Sequence, residues 1–569
     1  MTGRRFIAPA DTHIRYKKLF TLLLATTVGS VLYSTTAYAQ GTARARGLSL
    51  VSNRAFSVEL ADIWVHGQTA YLGTRTCGAG VQAVDVSNPA APQPYPAIGS
   101  NTNSNYEDVV VINAKTSTFE GTLMAVGLQA CRENGSPGVE FWDVTNPAQP
   151  RRLSFLSTGV GGVHELSMFQ RGDRVYALLA VLFSELAGTG GDLRIIDVTD
   201  PERPISVIDW GIQGDLGLDP TTLPQGLLTT TYLHSVAANP EGTTAYPSYW
   251  DAGVLMLDIS DPAKPVYLGR TTYAASEEGN AHSISLAKSG NLLLVNDEDY
   301  NPAGAVLEVD SPSDLAGPVL TLEQSLGRPM CSVGPIGADA AYLGQACTRE
   351  TFISDPSGKT AVAEMGGCPV RDKVLAAQQA GARTLLLISN FPTRLASVTG
   401  DPGDITIPVA VIPLRQGRQI RAALNRGQSV TLRLGPEPNA SWGYLRIFDT
   451  SRVQQPKQIS TFATENSRRC PPQDGGTYTI HNTVVVGDTV YASWYSDGVR
   501  VIDISDAANP REVGFYVPPD RPDRKTSTWG VFVANDLVYL SDITTGYTFC
   551  NGLHSKQRRS VRQGSCIVT

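Results

Sequence analysis

The chain has 569 residues, of which 42% are hydrophobic and 17% charged, so it can bury a core and is not a disordered tail. Its formal charge of −7 argues against a surface that binds nucleic-acid phosphates over the whole molecule. At roughly 100–200 residues per domain, its length predicts more than one ordinary domain. With 54 glycines and 36 prolines, many turns and therefore many short strands are expected.

The N-terminal segment has the pattern of an export signal. Basic residues precede an apolar run at residues 19–25, and Ala37-Tyr38-Ala39 fits the small-x-small rule for signal peptidase. The run is too short and its continuation too rich in Ser and Thr for a good membrane span. We expect residues 1–39 to be a cleaved signal peptide for secretion or the periplasm, with a retained anchor as the alternative. The mature chain is expected to have no transmembrane segment.

A motif of apolar residues followed by Asp and a Pro-flanked turn occurs six times, as in LRIIDVTDP at residues 193–201. The Asp residues of the six copies are Asp85, Asp143, Asp197, Asp258, Asp449 and Asp503. Successive copies are 58, 54, 61, 191 and 54 residues apart, so the fourth interval holds one period plus a large insertion. Because Asp before a turn satisfies backbone amides, we expect a structural role for these residues rather than ligand binding.

Each period is predicted to contain four short strands separated by turn pairs such as Gly487-Asp488. Four antiparallel strands repeated at about 50 residues are typical of a β-propeller blade. The repeat resembles the LVIVD-repeat propeller family. Six motifs and a last unit at residues 529–549 predict seven blades, with a strand at residues 48–51 completing the last one; six or eight blades are the alternatives.

The long fourth interval contains a different pattern. Residues 358–363 and 385–390 are predicted to be buried strands, and residues 370–380 an amphipathic helix that ends at Gly381. The stretch GKTAVAEMGGCPVRDKVLAAQQAGARTLLLISN resembles the protease-associated (PA) domain. The predicted fold is mainly β, a seven-bladed β-propeller with an α+β PA domain inserted in the fifth blade. The predicted segments are the signal peptide at 1–39, the propeller at 40–309 and 438–569, and the PA domain at 310–437.

PA domains occur as lids or docking modules on peptidases and also on non-enzymatic exported proteins, so this resemblance implies contact with a protein or peptide and no reaction. The predicted helix is expected to expose Lys373 and Gln378, to which we assign no catalytic role. The sequence has no His-Glu-x-x-His zinc motif, no Gly-x-Ser-x-Gly elbow and no nucleotide-binding fingerprint. It therefore leaves open whether the protein is an enzyme.

Four of the six histidines that follow the predicted signal peptide share one position in the predicted first strands. This position, here named the His column, is occupied in successive blades by Ala61, Glu107, His164, His234, His282, His481 and Trp529. First strands line the channel of a propeller, so a ring of ligand-binding side chains is expected at one channel mouth. Converging imidazoles beside a carboxylate can bind Zn, Fe, Cu or Ni. Alternatively, each His caps its own strand or bonds the backbone of a neighbouring blade.

The remaining sequence predictions concern loops. Cys77 and Cys131 fall in equivalent loops of adjacent blades, which makes a disulfide between them feasible, and Cys347 can pair with Cys368 inside the PA domain. The other cysteines cannot be paired from the sequence. The acidic loop at residues 297–299 is expected to be solvated, with Ca²⁺ binding as the alternative.

Two function classes follow from these observations. The first is an exported binding or scaffold protein that contacts a protein, peptide or glycan through one propeller face and the PA domain. The second is a metal-dependent enzyme that uses the channel mouth, with the PA domain as a lid. The absence of a catalytic motif favours the first class.

Overall fold

The computed structural model describes residues 43–551 except for eleven short gaps, and the structural statements below concern these residues. The gaps are 100, 160, 219–230, 274–278, 301–304, 392–394, 396–397, 399–402, 437–441, 470–474 and 545. The predicted signal peptide, Cys470 and Cys566 lie outside the described residues. Within them, no helix has the length and apolar character needed to cross a bilayer.

The first part of the chain forms two edge strands and then four units of four antiparallel strands. The edge strands are β1 (Arg44–Arg46) and β2 (Ser49–Arg54). The first two units are β3 (Leu60–His66), β4 (Thr69–Thr74), β5 (Gln82–Asp85) and β6 (Gln93–Pro94), then β7 (Ser104–Lys115), β8 (Glu120–Ala130), β9 (Gly138–Asp143) and β10 (Arg151–Ser157). The next two are β11 (Val163–Arg171), β12 (Arg174–Val181), β13 (Leu193–Asp197) and β14 (Ile205–Trp210), then β15 (Ser235–Ala238), β16 (Thr244–Ser248), β17 (Leu255–Asp258) and β18 (Val266–Arg270).

The fifth unit begins with β19 (Ala281–Ala287) and β20 (Leu292–Asp297), and an α+β region follows. That region contains β21 (Ala305–Ser311), β22 (Gly317–Val319), β23 (Leu322–Glu323), α1 (Met330–Val333), β24 (Ile336–Tyr342), β25 (Thr360–Glu364), α2 (Val370–Gln379), β26 (Thr384–Ile388), β27 (Val409–Ile412), α3 (Leu414–Asn425) and β28 (Thr431–Pro436). Two 3-10 turns lie at Lys288–Gly290 and Arg349–Thr351.

The chain then completes the fifth unit and forms two more. These strands are β29 (Leu445–Asp449) and β30 (Lys457–Phe462), then β31 (Thr483–Val486), β32 (Thr489–Ser493), β33 (Val499–Asp503) and β34 (Arg511–Val517), and finally β35 (Thr528–Ala534), β36 (Leu537–Asp542) and β37 (Gly546–Asn551). β20 and β29 are hydrogen-bonded neighbours in one sheet, although the whole α+β region separates them in sequence. β1 pairs with β34, and β2 pairs with β37 as the fourth strand of the last sheet.

The first strands of successive units contact one another in a circle. β3 contacts β7, β7 contacts β11, and the series continues through β15, β19, β31 and β35, which returns to β3. The turns after the third strands are also regular. Each of the six motif aspartates accepts a backbone N–H from the residue two positions on, at 2.8–3.1 Å. The turn role predicted for these residues is therefore confirmed.

The α+β region has a sheet that is covered on both faces. β24, β25, β26 and β27 pair in parallel, and β26 is apolar at every interior position because alternate residues enter opposite cores. Leu385 and Leu387 pack with α2, whereas Leu386 and Ile388 pack with α3. The predicted helix is present as α2, and Gly381 follows its C-cap with φ +83°.

The prediction that Lys373 lies on the exposed face of this helix is wrong. Lys373 is fully buried, and its ammonium donates a hydrogen bond to the carbonyl oxygen of Gln345. It precedes the buried Ala377 by one helical turn, so both residues lie on the same face of α2. Gln378 is half-buried, and its side-chain oxygen accepts the Thr406 N–H at 2.6 Å.

Candidate functional site

β-Bulges lie at the His column in five of the first strands, whereas His234 and His481 precede the strands β15 and β31. The pairing of β11 with β12 shifts register between Val163 and Leu166, and that of β7 with β8 shifts between Tyr106 and Val109. Equivalent shifts occur in β3, β19 and β35. A bulge removes residues from the ladder and re-aims their side chains. The residues of the His column are thus free to turn toward one another rather than into the cores between sheets.

The structure brings six of the predicted ligand-binding residues into one chain of contacts. The ring centroids of successive members from His164 to Trp529 are 4.3, 4.0, 4.3 and 4.1 Å apart. At the other end, Glu107 Oε2 lies 3.2 Å from His164 Nδ1. His282 and His481 are each 1% exposed, and His234 is 6% exposed. These side chains therefore meet in a nearly dry environment.

Two carboxylates that the sequence reasoning did not select stand beside these imidazoles. Glu165 Oε1 lies 3.8 Å from His282 Nε2 and 3.9 Å from His234 Nδ1. Glu298 Oε2 lies 3.6 Å from His282 Nε2. We name the central cluster the set formed by Glu107, His164, Glu165, His234, His282, Glu298 and His481.

Alignment of the repeats could have revealed Glu165, since it directly follows the His-column residue His164. The residues that follow the His column are Asp62, Asp108, Glu165, Ser235, Ser283, Asn482 and Gly530. Several of them tie one unit to another. Asp108 Oδ2 accepts the Leu166 N–H at 2.7 Å, and Asp62 Oδ1 accepts the Asn482 side-chain N–H at 2.8 Å.

The expectation that residues 297–299 form a solvated loop is wrong for its first two members. Asp297 and Glu298 are each 3% exposed. Asp297 forms a buried ion pair with Arg446, which lies on the neighbouring strand β29. Glu298 accepts a hydrogen bond from the Tyr495 hydroxyl. Both carboxylates are therefore held inside the molecule where the α+β region begins.

Burial dominates the charge state of the carboxylates in and around the central cluster. It raises the pKa of Asp108 and of Glu298 to about 7, and it raises the pKa of Asp62 and Glu165 well above the usual range. Burial also acts on Glu107, but the neighbouring His164 more than offsets it, so the pKa of Glu107 is lowered. Glu107 is thus the member best stabilised as a carboxylate.

Three imidazoles of the central cluster are held neutral. Burial, followed by the charge of neighbouring histidines, lowers the pKa of His234, His282 and His481 well below its usual value. His164 differs: burial lowers its pKa, but the charge and hydrogen bond of Glu107, together with the charges of Glu298 and Asp108, outweigh burial and raise it. Neutral imidazole is the form that binds metal ions. The cluster therefore combines metal-competent imidazoles with the adjacent pair of His164 and Glu107.

Two aromatic residues in equivalent loops flank the central cluster, and the sequence reasoning missed both. Trp250 and Tyr495 have φ values of +40° and +35°, which bulky residues rarely adopt. Their carbonyl oxygens accept N–H groups at the start of the next units, from Ala281 and Thr528. The Trp250 ring centroid lies 5.3 Å from that of His234. A shared pattern, YWDAG at 249–253 and WYSDG at 494–498, could have revealed them.

The chain of ring contacts ends beyond His481 at Trp529, whose indole lies beside the guanidinium of Arg75. The Arg75 guanidinium lies 4.5 Å from the Trp529 ring centroid, a cation–π distance. Trp529 Nε1 has no hydrogen-bond partner within the described residues.

Disulfides join Cys77 to Cys131 and Cys347 to Cys368. The first pair links the first two units, since the two cysteines follow β4 and β8. The second pair lies within the α+β region.

Comparisons with known proteins identify two families in the chain. Residues 332–420 match the PA domain, and residues 60–94, 242–272 and 481–517 match the LVIVD repeat. None of the curated proteins compared with the chain matches it.

Solved structures similar to the chain include propellers and peptidases. The Cps50 (Swd1) β-propeller domain of Myceliophteria thermophila is 9% identical with a TM-score of 0.42, over 89% of this chain and 99% of that domain. The computationally designed Ika8 protein is 9% identical with a TM-score of 0.39, over 89% of this chain and 100% of that protein. An aminopeptidase from Aneurinibacillus sp. strain AM-1 is 16% identical with a TM-score of 0.20, over 27% of this chain and only 37% of the enzyme.

Proposed function

From a mainly β chain that carries LVIVD repeats and a PA domain, we propose an exported scaffold that contacts a protein, peptide or glycan. Its body is a seven-bladed β-propeller, and the PA domain at residues 310–437 is inserted in the fifth blade. The circle of contacts among seven first strands and the adjacency of β20 and β29 support this architecture. The paired cysteines fit export, because disulfides persist in oxidising compartments.

The observation that carries the proposal is the position of the segment that connects the fifth unit to the α+β region. Tyr300 in this segment contacts Tyr495 through its hydroxyl, and Tyr495 donates to Glu298. Tyr300 is also 53% exposed. These contacts support a PA domain that begins at the proposed channel mouth, where a partner held by the PA domain would lie beside that mouth.

A deletion variant tests the scaffold role. Residues 305–436, from the start of β21 to the end of β28, are replaced by a short Gly-Ser turn. The full chain and the variant are each screened against a displayed random-peptide library and a glycan array. Because β20 and β29 are neighbours, the variant should fold as a propeller. Ligands selected by the full chain should lose binding to the variant. A variant that cannot fold, or equal binding by both proteins, would contradict the proposal that the PA domain contacts the partner and the propeller folds without it.

A metal-dependent enzyme is the second candidate function. The observation that favours it is the meeting of neutral imidazoles with buried carboxylates in the central cluster. In that function the PA domain would act as a lid or a substrate-docking module over the channel mouth.

A further inference from the structure

The central cluster contains two groups of donor atoms that share one residue. Glu165, His234 and His282 form the first group, and His282, Glu298 and His481 form the second. Within each group the potential ligand atoms lie within 4.8 Å of one another, and all five residues are buried. We propose that a divalent first-row transition-metal ion binds at His282 in the central cluster, with its other protein ligands drawn from these two groups. This site does not depend on the scaffold role proposed above.

The observed separations suit coordination of a single ion. Two donors that each lie about 2.1 Å from one metal ion are about 3.0 Å apart at a right angle and about 4.2 Å apart when opposite. The distances from His282 Nε2 to Glu298 Oε2 and Glu165 Oε1 are 3.6 and 3.8 Å, and Glu165 Oε1 lies 3.9 Å from His234 Nδ1. All three distances fall inside that interval, so each of these three pairs could bind one ion with little rearrangement.

Buried carboxyl groups also crowd the central cluster. Four carboxyl groups around the central cluster belong to buried residues: Asp62, Glu107, Glu165 and Glu298. The basic side chains beside them within the described residues are His164, whose Nδ1 lies 3.2 Å from Glu107 Oε2, and Arg75, which lies over Trp529. Buried carboxylates are costly unless they are protonated, paired or bound to a metal ion. A divalent cation bound by Glu165 or by Glu298 would offset that cost without the need to protonate that group.

The imidazoles retain capacity that the protein itself does not satisfy. His234 Nδ1 and His481 Nδ1 are buried and have no partner at normal hydrogen-bond geometry within the described residues, although the backbone of His282 and of Trp529 interacts with the two rings. A buried polar atom without a partner is unusual in a folded protein and points to an absent ion or ligand. This observation is independent of the carboxylates, because it concerns the uncharged donors.

Neighbouring groups hold several of the ligands in place. The Tyr495 hydroxyl donates to Glu298, and Ser235 hydrogen-bonds Glu165. His164 Nε2 lies 2.9 Å from His234 Nε2, and Glu107 lies beyond His164. Outer contacts of this kind orient metal ligands and tune affinity. The mixture of imidazole and carboxylate donors suits Zn²⁺, Fe²⁺, Mn²⁺ or Ni²⁺ better than the softer Cu⁺.

The test is metal binding by the full chain. The protein is stripped with a chelator and titrated with Zn²⁺ and with Co²⁺, and bound metal is measured by elemental analysis and, for Co²⁺, by its visible absorption. We expect about one ion per chain and a rise in melting temperature with metal, since an ion that binds only the folded state stabilises it. A folded chain that takes up neither ion in stoichiometric amount would overturn the proposal.

Matched variants locate the ion. His282→Gln removes the residue that both donor groups share and should lower the affinity at least 10-fold. His66→Gln is the control, because His66 lies outside the His column and contacts Asn113 on the neighbouring unit. If His282→Gln fails to fold, Glu298→Gln replaces it, and it too should weaken binding and change the Co²⁺ absorption. Equal affinity of these variants and the control would place the metal elsewhere and overturn the site.

Discussion

His164 Nε2 lies 2.9 Å from His234 Nε2, although the two residues are 70 positions apart and belong to neighbouring units. Two imidazole nitrogens at this distance share either a proton or an ion. Glu107, on the far side of His164, links the pair to a carboxylate and so fixes the orientation of both rings.

This relationship predicts that Glu107 supports metal binding without being a ligand. Glu107→Gln should leave the fold intact but reduce the affinity for Zn²⁺ by about 10- to 100-fold, measured by competition with a chelator. Glu120→Gln is the control on the same unit, since Glu120 is exposed and pairs with Lys115. An affinity that stays at the wild-type value in Glu107→Gln would show that His164 needs no carboxylate.

The buried pair of Arg446 and Asp297 should be a major source of stability for the fifth unit. Arg446→Met removes the positive charge that pairs with the buried Asp297, which we expect to cost about 3–5 kcal/mol in free energy of unfolding. Urea unfolding of the full chain and of the variant measures this change in the free energy of unfolding. Arg433→Met removes exposed ion pairs with Glu308 and Asp310 and should change stability little. Similar losses of stability in the two variants would contradict the expectation that the buried ion pair contributes much more than the exposed ones.

Glu323 should make the stability of the α+β region depend on pH. Burial raises the pKa of Glu323 to about 8, although the Met330 N–H donates a hydrogen bond to it. The unfolded-state pKa is about 4.3, so between the two values the folded state binds more protons than the unfolded state, and stability falls as pH rises. Glu323→Gln should therefore match the wild type in melting temperature near pH 5 and exceed it at pH 9.

Glu308→Gln is the control for this pH profile, since Glu308 is exposed on the same region. A wild-type melting temperature that rises steadily from pH 5 to pH 9, or an identical fall in Glu323→Gln, would assign the pH dependence to other groups.

Tyr495 should restrain the segment that leads into the α+β region. Tyr495→Phe removes the hydroxyl that donates to Glu298 and contacts Tyr300. We expect faster amide hydrogen exchange at residues 298–300 in the full chain, because the segment loses its anchor. Tyr491→Phe serves as the control, since Tyr491 is buried on the preceding strand of the same unit. Unchanged exchange in Tyr495→Phe would mean that other contacts hold the segment.

Much of the site could be predicted because it repeats. The position of the His column recurs in each period, so alignment of the periods brings Glu107 and the histidines to equivalent places without any structure. The same alignment contains Glu165, but a search for histidines passes over it.

Other parts of the site could not be predicted because they belong to no repeat. Glu298 follows β20 at the point where the insertion begins, and the burial of its neighbour Asp297 depends on Arg446, 149 residues away. The alternation of apolar and polar residues carries no information about such a distant partner. The buried Lys373 was missed because a charged residue was assumed to face solvent, although its helical position places it with Ala377.

The pairing of β2 with β37 sets a limit on the order of folding. The last sheet joins residues 49–54 to residues 546–551, so the circle of first strands cannot close until nearly the whole chain has been synthesised. Closing a loop of this length carries a large entropic penalty before any contact of the seventh sheet compensates for it. Earlier units can form their own hairpins during synthesis, but the circle as a whole is a late product of folding.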